Sequence, residues 1–238
     1  MQSTLQQFAE KETGDAFSLH NHKLLKVELR GNTIRARQGS MVAYQGEVSF
    51  DVASAGVGRL VKKVMTGEGL ELMTVSGSGE VFLAHQAEDV HVITLEDETV
   101  TVNARNLLAF QEGIEWDVKR VTGGANAMAG GLFQTTLTGS GTVAIVSDGP
   151  PILFDVASAP TFADAQAAIV WSSGVTTQVH VDAKLSSLLR GGSGETVQIA
   201  FGGSGWLLVQ PSEGRVEGDN GRTGGQGLGG GLGRLLSG

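Results

Sequence analysis

The sequence predicts an all-β protein assembled from three copies of one unit, and three observations carry that expectation. A Gly-Ser-Gly followed by an apolar strand occurs as GSGEVFLAH from Gly77, GSGTVAIVS from Gly139 and GSGWLLVQ from Gly203. Upstream of each lies a second recurrent element: SMVAYQGEVSFDV (40–52), NLLAFQEGIEWDV (106–118) and AAIVWSSGVTTQV (167–179). Most other segments alternate apolar and polar residues, the two-residue period of a half-buried strand, and helical periodicity is scarce.

The landmarks keep step. From the aromatic of the upstream element (Tyr44, Phe110, Trp171) to the first glycine of the triplet the intervals are 33, 29 and 32 positions, and the triplets lie 62 and 64 apart. A fixed period of this size marks an internal repeat, and it divides residues 20–213 into copies at about 24–95, 99–156 and 161–213. One such unit, poor in aromatics, would have difficulty offsetting its own conformational entropy, so the copies should pack on one another as sandwich or jelly-roll units with pseudo-threefold symmetry.

Taken in order, residues 1–19 form a polar N-terminal segment, and LLKVEL and TIRARQ read as the first strands. Each upstream element runs from small apolar residues to its aromatic, passes through a polar turn with glycine (Gly46, Gly113, Gly174), and resumes as an alternating strand, which is a hairpin signature. Residues 57–65 and 183–190 are short helical candidates confined to connections, matched in the second copy by the glycine-rich 123–131. LELMTVS, DVHVITL, TVTVN and TVQIAF are further strands. At the triplets, Gly-x-Gly permits positive φ and a sharp corner after which the chain folds back. A phosphate loop would need a helix after the glycines, and the residues there, EVFLA, TVAIV and WLLVQ, are strands; the same test disposes of Gly56-Val57-Gly58. Beyond Gly214 the composition turns glycine-rich, predicting a flexible tail over 214–238.

Composition narrows the chemistry. The formal charge is −8, divided as 12 Lys+Arg against 17 Asp+Glu in the first 120 residues and 5 against 8 in the rest, the wrong sign for a general nucleic-acid binder. Lys23, Lys26, Arg30, Arg35, Arg37, Arg59, Lys62 and Lys63 concentrate locally, but Glu28 and Glu47 intersperse them, so the patch reads as a solvated mixed surface with partner binding as its alternative. There are no cysteines, which excludes disulfides, thiolate metal sites and cysteine nucleophiles. No apolar run approaches the ~18 residues of a membrane helix, and the opening lacks the order of a secretory signal. The expectation is a cytoplasmic protein without an integral membrane segment, for which peripheral membrane association stays compatible.

LKVELRGNTIRARQGSMVAYQGEV, then GEGLELM, GSGEVFLA, VNARNLLAF and finally RGGSGETVQIAFGGSGWLLVQPSEG together resemble the altered-inheritance-of-mitochondria twenty-four family, in its bacterial branch, over about residues 20–213. The resemblance implies a triplicated β-sandwich similar to the tryptophan RNA-binding attenuator fold and related in shape to double-stranded β-helices. It associates the mitochondrial members with inner-membrane organisation. It brings no reaction, cofactor or catalytic residue.

Among candidate sites, Gly14, His20, His22 and Glu28 approximate a cupin metal motif, since His-x-His on a strand shares a face. Glu28 comes one residue late, however, which turns it to the opposite face, and no second cupin motif follows. His85, His91 and His180 are scattered, with Asp89 as the one acidic neighbour on the face of His91. No Gly-x-Ser-x-Gly is present. Glu47, Asp51, Glu115 and Asp117 lie near the hairpins; Asp51 and Asp117 are equivalent, and Gln178 takes their place in the third copy, which points to a shared structural hydrogen bond. Tyr44, Phe110 and Trp171 should pack in the core or between copies rather than stack on bases. No catalytic residue, metal ligand or cofactor is assigned. The sequence reading is a non-enzymatic scaffold that forms a homo-oligomer and binds a protein partner, with a small-ligand pocket between repeats as the alternative and a cupin-like metal enzyme as the third possibility.

Overall fold

The alternating segments become fourteen strands in the computed structural model, which describes residues 4–11, 13–52, 70–120, 133–180 and 198–212. In chain order they are β1 (Phe17–Asn21), β2 (Leu24–Arg37), β3 (Met41–Val52), β4 (Leu72–Leu83), β5 (Asp89–Asn103), β6 (Leu107–Gln111), β7 (Glu115–Arg120), β8 (Phe133–Ser147), β9 (Ile152–Asp155), β10 (Thr161–Asp164), β11 (Ala168–Ser172), β12 (Val175–His180), β13 (Gln198–Gly203) and β14 (Trp206–Val209). The protein is all-β: helical geometry among the described residues is limited to two 3-10 turns, Thr4–Phe8 and Ala104–Asn106. The helical candidates at 57–65 and 183–190, the 123–131 connection and the 214–238 tail lie outside the described residues.

One sheet runs in the order β3-β4-β2-β6-β8-β5-β11-β14-β9, with β1 added on β2 and β7 on β8; β10, β13 and β12 make a smaller sheet. The order separates into β3-β4-β2, β6-β8-β5 and β11-β14-β9, in each of which an aromatic strand, a Gly-Ser-Gly strand and an opening strand follow one another; β5 runs unbroken across the boundary expected near 95–99, and β9, within the expected second copy, pairs with β14, so these groups begin earlier than the sequence division places them. Registers recur as well. Tyr44 lies opposite Val81, Phe110 opposite Val143 and Trp171 opposite Leu207, each partner two positions beyond the second glycine of its triplet. A bulge follows the same pattern, between Met41 and Ala43, Leu107 and Ala109, and Ala168 and Val170.

Two local expectations are corrected. The aromatic elements are not hairpins: β3 is one continuous strand on β4, whereas β6 and β7 both pair with β8, and β11 and β12 pair with β14 and β13. Gly46, Gly113 and Gly174 therefore kink a strand whose two halves follow the same neighbouring chain segment. Nor do the triplets reverse the chain. Positive φ is present at Gly77 and Gly79 (126° and 152°) and at Gly139 and Gly141 (125° and 146°), yet β4 and β8 continue through them. A Cβ on Gly77 or Gly79 would run into the backbone carbonyl of Glu47 or Gln45, so glycine serves there both the left-handed φ and a close approach of β3. The neighbouring first strands bend at the same level. LLKVEL and TIRARQ fuse into β2 across a bulge at Gly31, and DVHVITL and TVTVN into β5 across one at Asp97.

Apolar residues gather in three clusters, and the first two are completed by the following copy. Leu25, Val27, Ile34, Val75 and Leu83 enclose Leu108 and Ala109 of β6. Leu95, Val100, Phe110, Leu137 and Ile145 enclose Ile169 and Val170 of β11. The third gathers Val156, Ala163, Trp171, Phe201 and Leu207.

Candidate functional site

The residues with metal-binding potential are held apart. Phe17–Asn21 ends before His22, which sits in the tight turn to β2 with its Nε2 3.9 Å from Asp89. His20 instead presents its ring edge-on to Phe82, at 6.3 Å between centroids. Glu28 is engaged by Arg30 through two bonds of 2.9 Å, and that guanidinium holds its carboxyl below the ordinary range. Gly14, at a positive φ of 73°, lies in the chain leading to β1. No group of three His, Asp or Glu side chains among the described residues could hold a metal ion. Asp89 is occupied by Lys23 Nζ at 2.9 Å, which lowers its pKa, and His91 contacts the Ser147 hydroxyl at 2.7 Å. His85 lies in the turn between β4 and β5, and the side chain of His180 lies outside the described residues.

The basic patch is neutralised from within. Beyond the Lys23 and Arg30 pairs, Arg35 meets Thr74 and Glu112, and Arg37 donates to the carbonyls of Ala104 and Leu107 at 2.9 and 3.1 Å. Lys26 is the buried charge of the group, gripped by Glu10 at 2.6 Å and Glu80 at 2.7 Å with its ammonium also donating to the Lys11 carbonyl. Burial alone would depress its pKa; the two carboxylates outweigh that and raise it. This triad ties the N-terminal segment to β2 and β4, a role that sequence spacing gives no sign of. Arg59, Lys62 and Lys63 lie outside the described residues.

The repeat-equivalent polar positions are exposed. Asp51, Asp117 and Gln178 lie opposite Thr74, Thr136 and Ala200, three positions before each triplet, but they face solvent rather than closing a buried hydrogen bond. Glu47 and Glu115 are exposed too.

The aromatic strands distinguish the copies sharply. Leu107, Leu108, Ala109 and Phe110 are each 0% exposed, and Ala168, Ile169, Val170 and Trp171 lie between 0 and 4%. Their equivalents in β3 are open: Met41 is 38% exposed, Val42 58% and Tyr44 48%, and Ala43 is exposed with them. The expectation that Tyr44 packs like Phe110 and Trp171 is thus corrected. Its ring packs edge-on against Phe50, at 5.2 Å and 66°. The reason is pairing. β6 docks on β2 and β11 on β5, whereas β3, having no earlier copy beside it, pairs only with β4 among the described strands.

Fold and edge together define an all-β protein with a large antiparallel sheet whose outermost described strand, β3, carries an uncharged apolar segment paired only with β4 among the described strands. A family model described as Mitochondrial biogenesis AIM24 matches residues 17–212, and the chain belongs to that family. Among solved structures, the X-ray structure of a Streptococcus pyogenes protein is similar with a TM-score of 0.66 and 21% identity, covering 82% of this chain and 91% of that one. That likeness extends the all-β architecture to a bacterial protein. No curated protein matches. No helix among the described residues is long and apolar enough to cross a membrane.

Proposed function

We propose that this chain is a non-enzymatic structural module of the cytoplasm that works by associating with copies of itself and holding a protein partner. One observation carries the reading: Met41, Val42 and Tyr44 are exposed on a strand edge whose counterparts in the same molecule are buried by strand pairing. An edge with open backbone donors and acceptors and no charge on its apolar half is a template for adding another strand. The neutralised basic patch favours the same reading over phosphate recognition, because no described cation of that group is without an internal partner. Sedimentation velocity of the full chain across a hundredfold concentration range tests it. Mass that rises with concentration is expected, and a monomer throughout would overturn the reading.

A further inference from the structure

The chain joins its own units by one rule, applied twice. At the first joint, Ala109, Phe110 and Gln111 of β6 lie antiparallel and opposite Ala36, Arg35 and Ile34 of β2. At the second, Val170, Trp171 and Ser172 of β11 lie opposite Val102, Thr101 and Val100 of β5. In each joint the aromatic is the middle residue of the docking segment, and the segment begins just after a bulge, between Leu107 and Ala109 or between Ala168 and Val170. The same three places in β3 are Ala43, Tyr44 and Gln45. They follow the bulge between Met41 and Ala43 and stop at the kink of Gly46, where φ is 90°. All three are exposed, and β3 pairs only with β4 among the described strands.

Exposure alone does not single out this edge, because the other end of the large sheet is open to solvent as well. There β9 pairs only with β14 among the described strands, and Ile152 and Leu153 are 54% and 64% exposed. That strand is four residues long, follows Pro150 and Pro151 and ends at Asp155, features that discourage addition of a further strand. β3 has twelve residues, no proline, and no charge before Glu47.

We propose that the β3 edges of two copies pair antiparallel with each other about a two-fold axis at Tyr44, giving a closed homodimer. This rests on the self-association reading and names the surface that meets the second copy. A two-fold perpendicular to a sheet keeps every side chain on its own face, and the alternation of faces then requires a residue to lie on the axis. Between bulge and kink the middle residue is Tyr44. Ala43 of one molecule then lies opposite Gln45 of the other, and the two Tyr44 rings meet as a cross-strand aromatic pair.

Charge agrees with this register. Glu47 falls opposite Met41 rather than opposite another carboxylate. An axis at the centre of the whole strand, on Gly46 or Glu47, would bring the two Glu47 side chains beside one another, and the kink interrupts the ladder at the same place. The joint is isologous: it uses the β3 edge of both molecules and leaves none for a third, so growth ends at two.

The chain has no cysteine, so disulfide trapping in the full-length protein reads the register directly. Ala43→Cys and Gln45→Cys should each fail to link to themselves under mild oxidation, and an equimolar mixture should give a disulfide-linked dimer. Directly opposed residues stand about 4.5–5.5 Å apart, within disulfide reach, whereas residues displaced by two along the ladder stand beyond it. Gln45→Cys forfeits only an exposed bond of 3.1 Å to Glu10. Tyr44→Lys sets two ammonium groups against each other on the axis and should weaken dimerisation by roughly a hundredfold, with its circular dichroism unchanged because the ring is already 48% exposed. Wild type should sediment as monomer in equilibrium with dimer and form nothing larger. If wild type is monomeric throughout, the self-association reading fails. If it associates but grows past two, if the mixed cysteine variants do not link, or if either links alone, the two-fold joint at Tyr44 is wrong while self-association stands. Dimers that Tyr44→Lys leaves intact would overturn the joint in the same way.

Discussion

Phe110 and Tyr44 occupy the same register position, the same distance from the same bulge and opposite the same place on a Gly-Ser-Gly strand, yet one is fully buried and the other about half exposed. Their local sequences, LLAFQ and MVAYQ, are nearly interchangeable. What differs is the neighbour: β6 has β2 on its open side and β3 has nothing among the described strands. Burial in a repeated sheet is therefore set by position in the series as much as by residue type.

That contrast can be broken first at the two rings. Phe110→Ala empties a fully buried site and should cost about 3–5 kcal/mol in denaturant unfolding. In dilute solution Tyr44→Ala should cost about 1 kcal/mol or less, the loss of an exposed aromatic pair. Equal losses would mean that β3 is covered within the monomer.

The glycines sharpen the comparison next. Gly77 and Gly139 share a positive φ, 126° and 125°, but a Cβ meets the Glu47 backbone carbonyl at the first and nothing nearer than Gly113 O at 3.6 Å at the second. Gly77→Ala should cost roughly 2–4 kcal/mol, and Gly139→Ala roughly 1–2 kcal/mol for the backbone conformation alone. Thermal melts of the two variants would show the order.

Lys26 of β2 has apolar counterparts in Val92 of β5 and Leu153 of β9, which lie opposite the corresponding positions of β8 and β14, so its ion triad is peculiar to β2 among these equivalent positions. Lys26→Ala leaves Glu10 and Glu80 facing one another and should destabilise by roughly 1–3 kcal/mol, part of the charge being open to solvent. Glu10 is held below its ordinary pKa of 4.5, chiefly by its bond from Lys26. Its contribution is present above that pH and disappears as pH falls through the depressed value, and the acid loss should shrink in the variant.

The smallest effect belongs to His91. Burial lowers its pKa from 6.5, with Asp89 opposing, so the folded protein favours the neutral ring. Its stabilisation is complete above pH 6.5 and declines as pH drops through the lowered value. A His91→Gln variant should show a flatter stability profile across that window.

The sequence made the architecture legible wherever the signal was local. Alternation in LLKVEL and DVHVITL, and a triplet recurring with its aromatic, are enough for the strand content and the repeating register. Pairing partners are not local. QEG between β6 and β7 looks like the SSG or QGE turn of a hairpin, and only the shared neighbour β8 shows that the two halves lie in line. Continuous passage through Gly77–Gly79 was equally hidden, because positive φ serves a bend as well as a reversal. The exposed edge was invisible for the opposite reason: Met41–Tyr44 has the composition of a core strand, and only the strand order shows that β3 pairs with β4 alone among the described strands.

Hydrogen exchange followed at rising protein concentration tests the docking edge most directly. Protection at Met41–Gln45 should grow with concentration, while Leu107–Gln111 stays protected throughout. Exchange at β3 that is slow even in the dilute monomer, or that ignores concentration, would contradict the account.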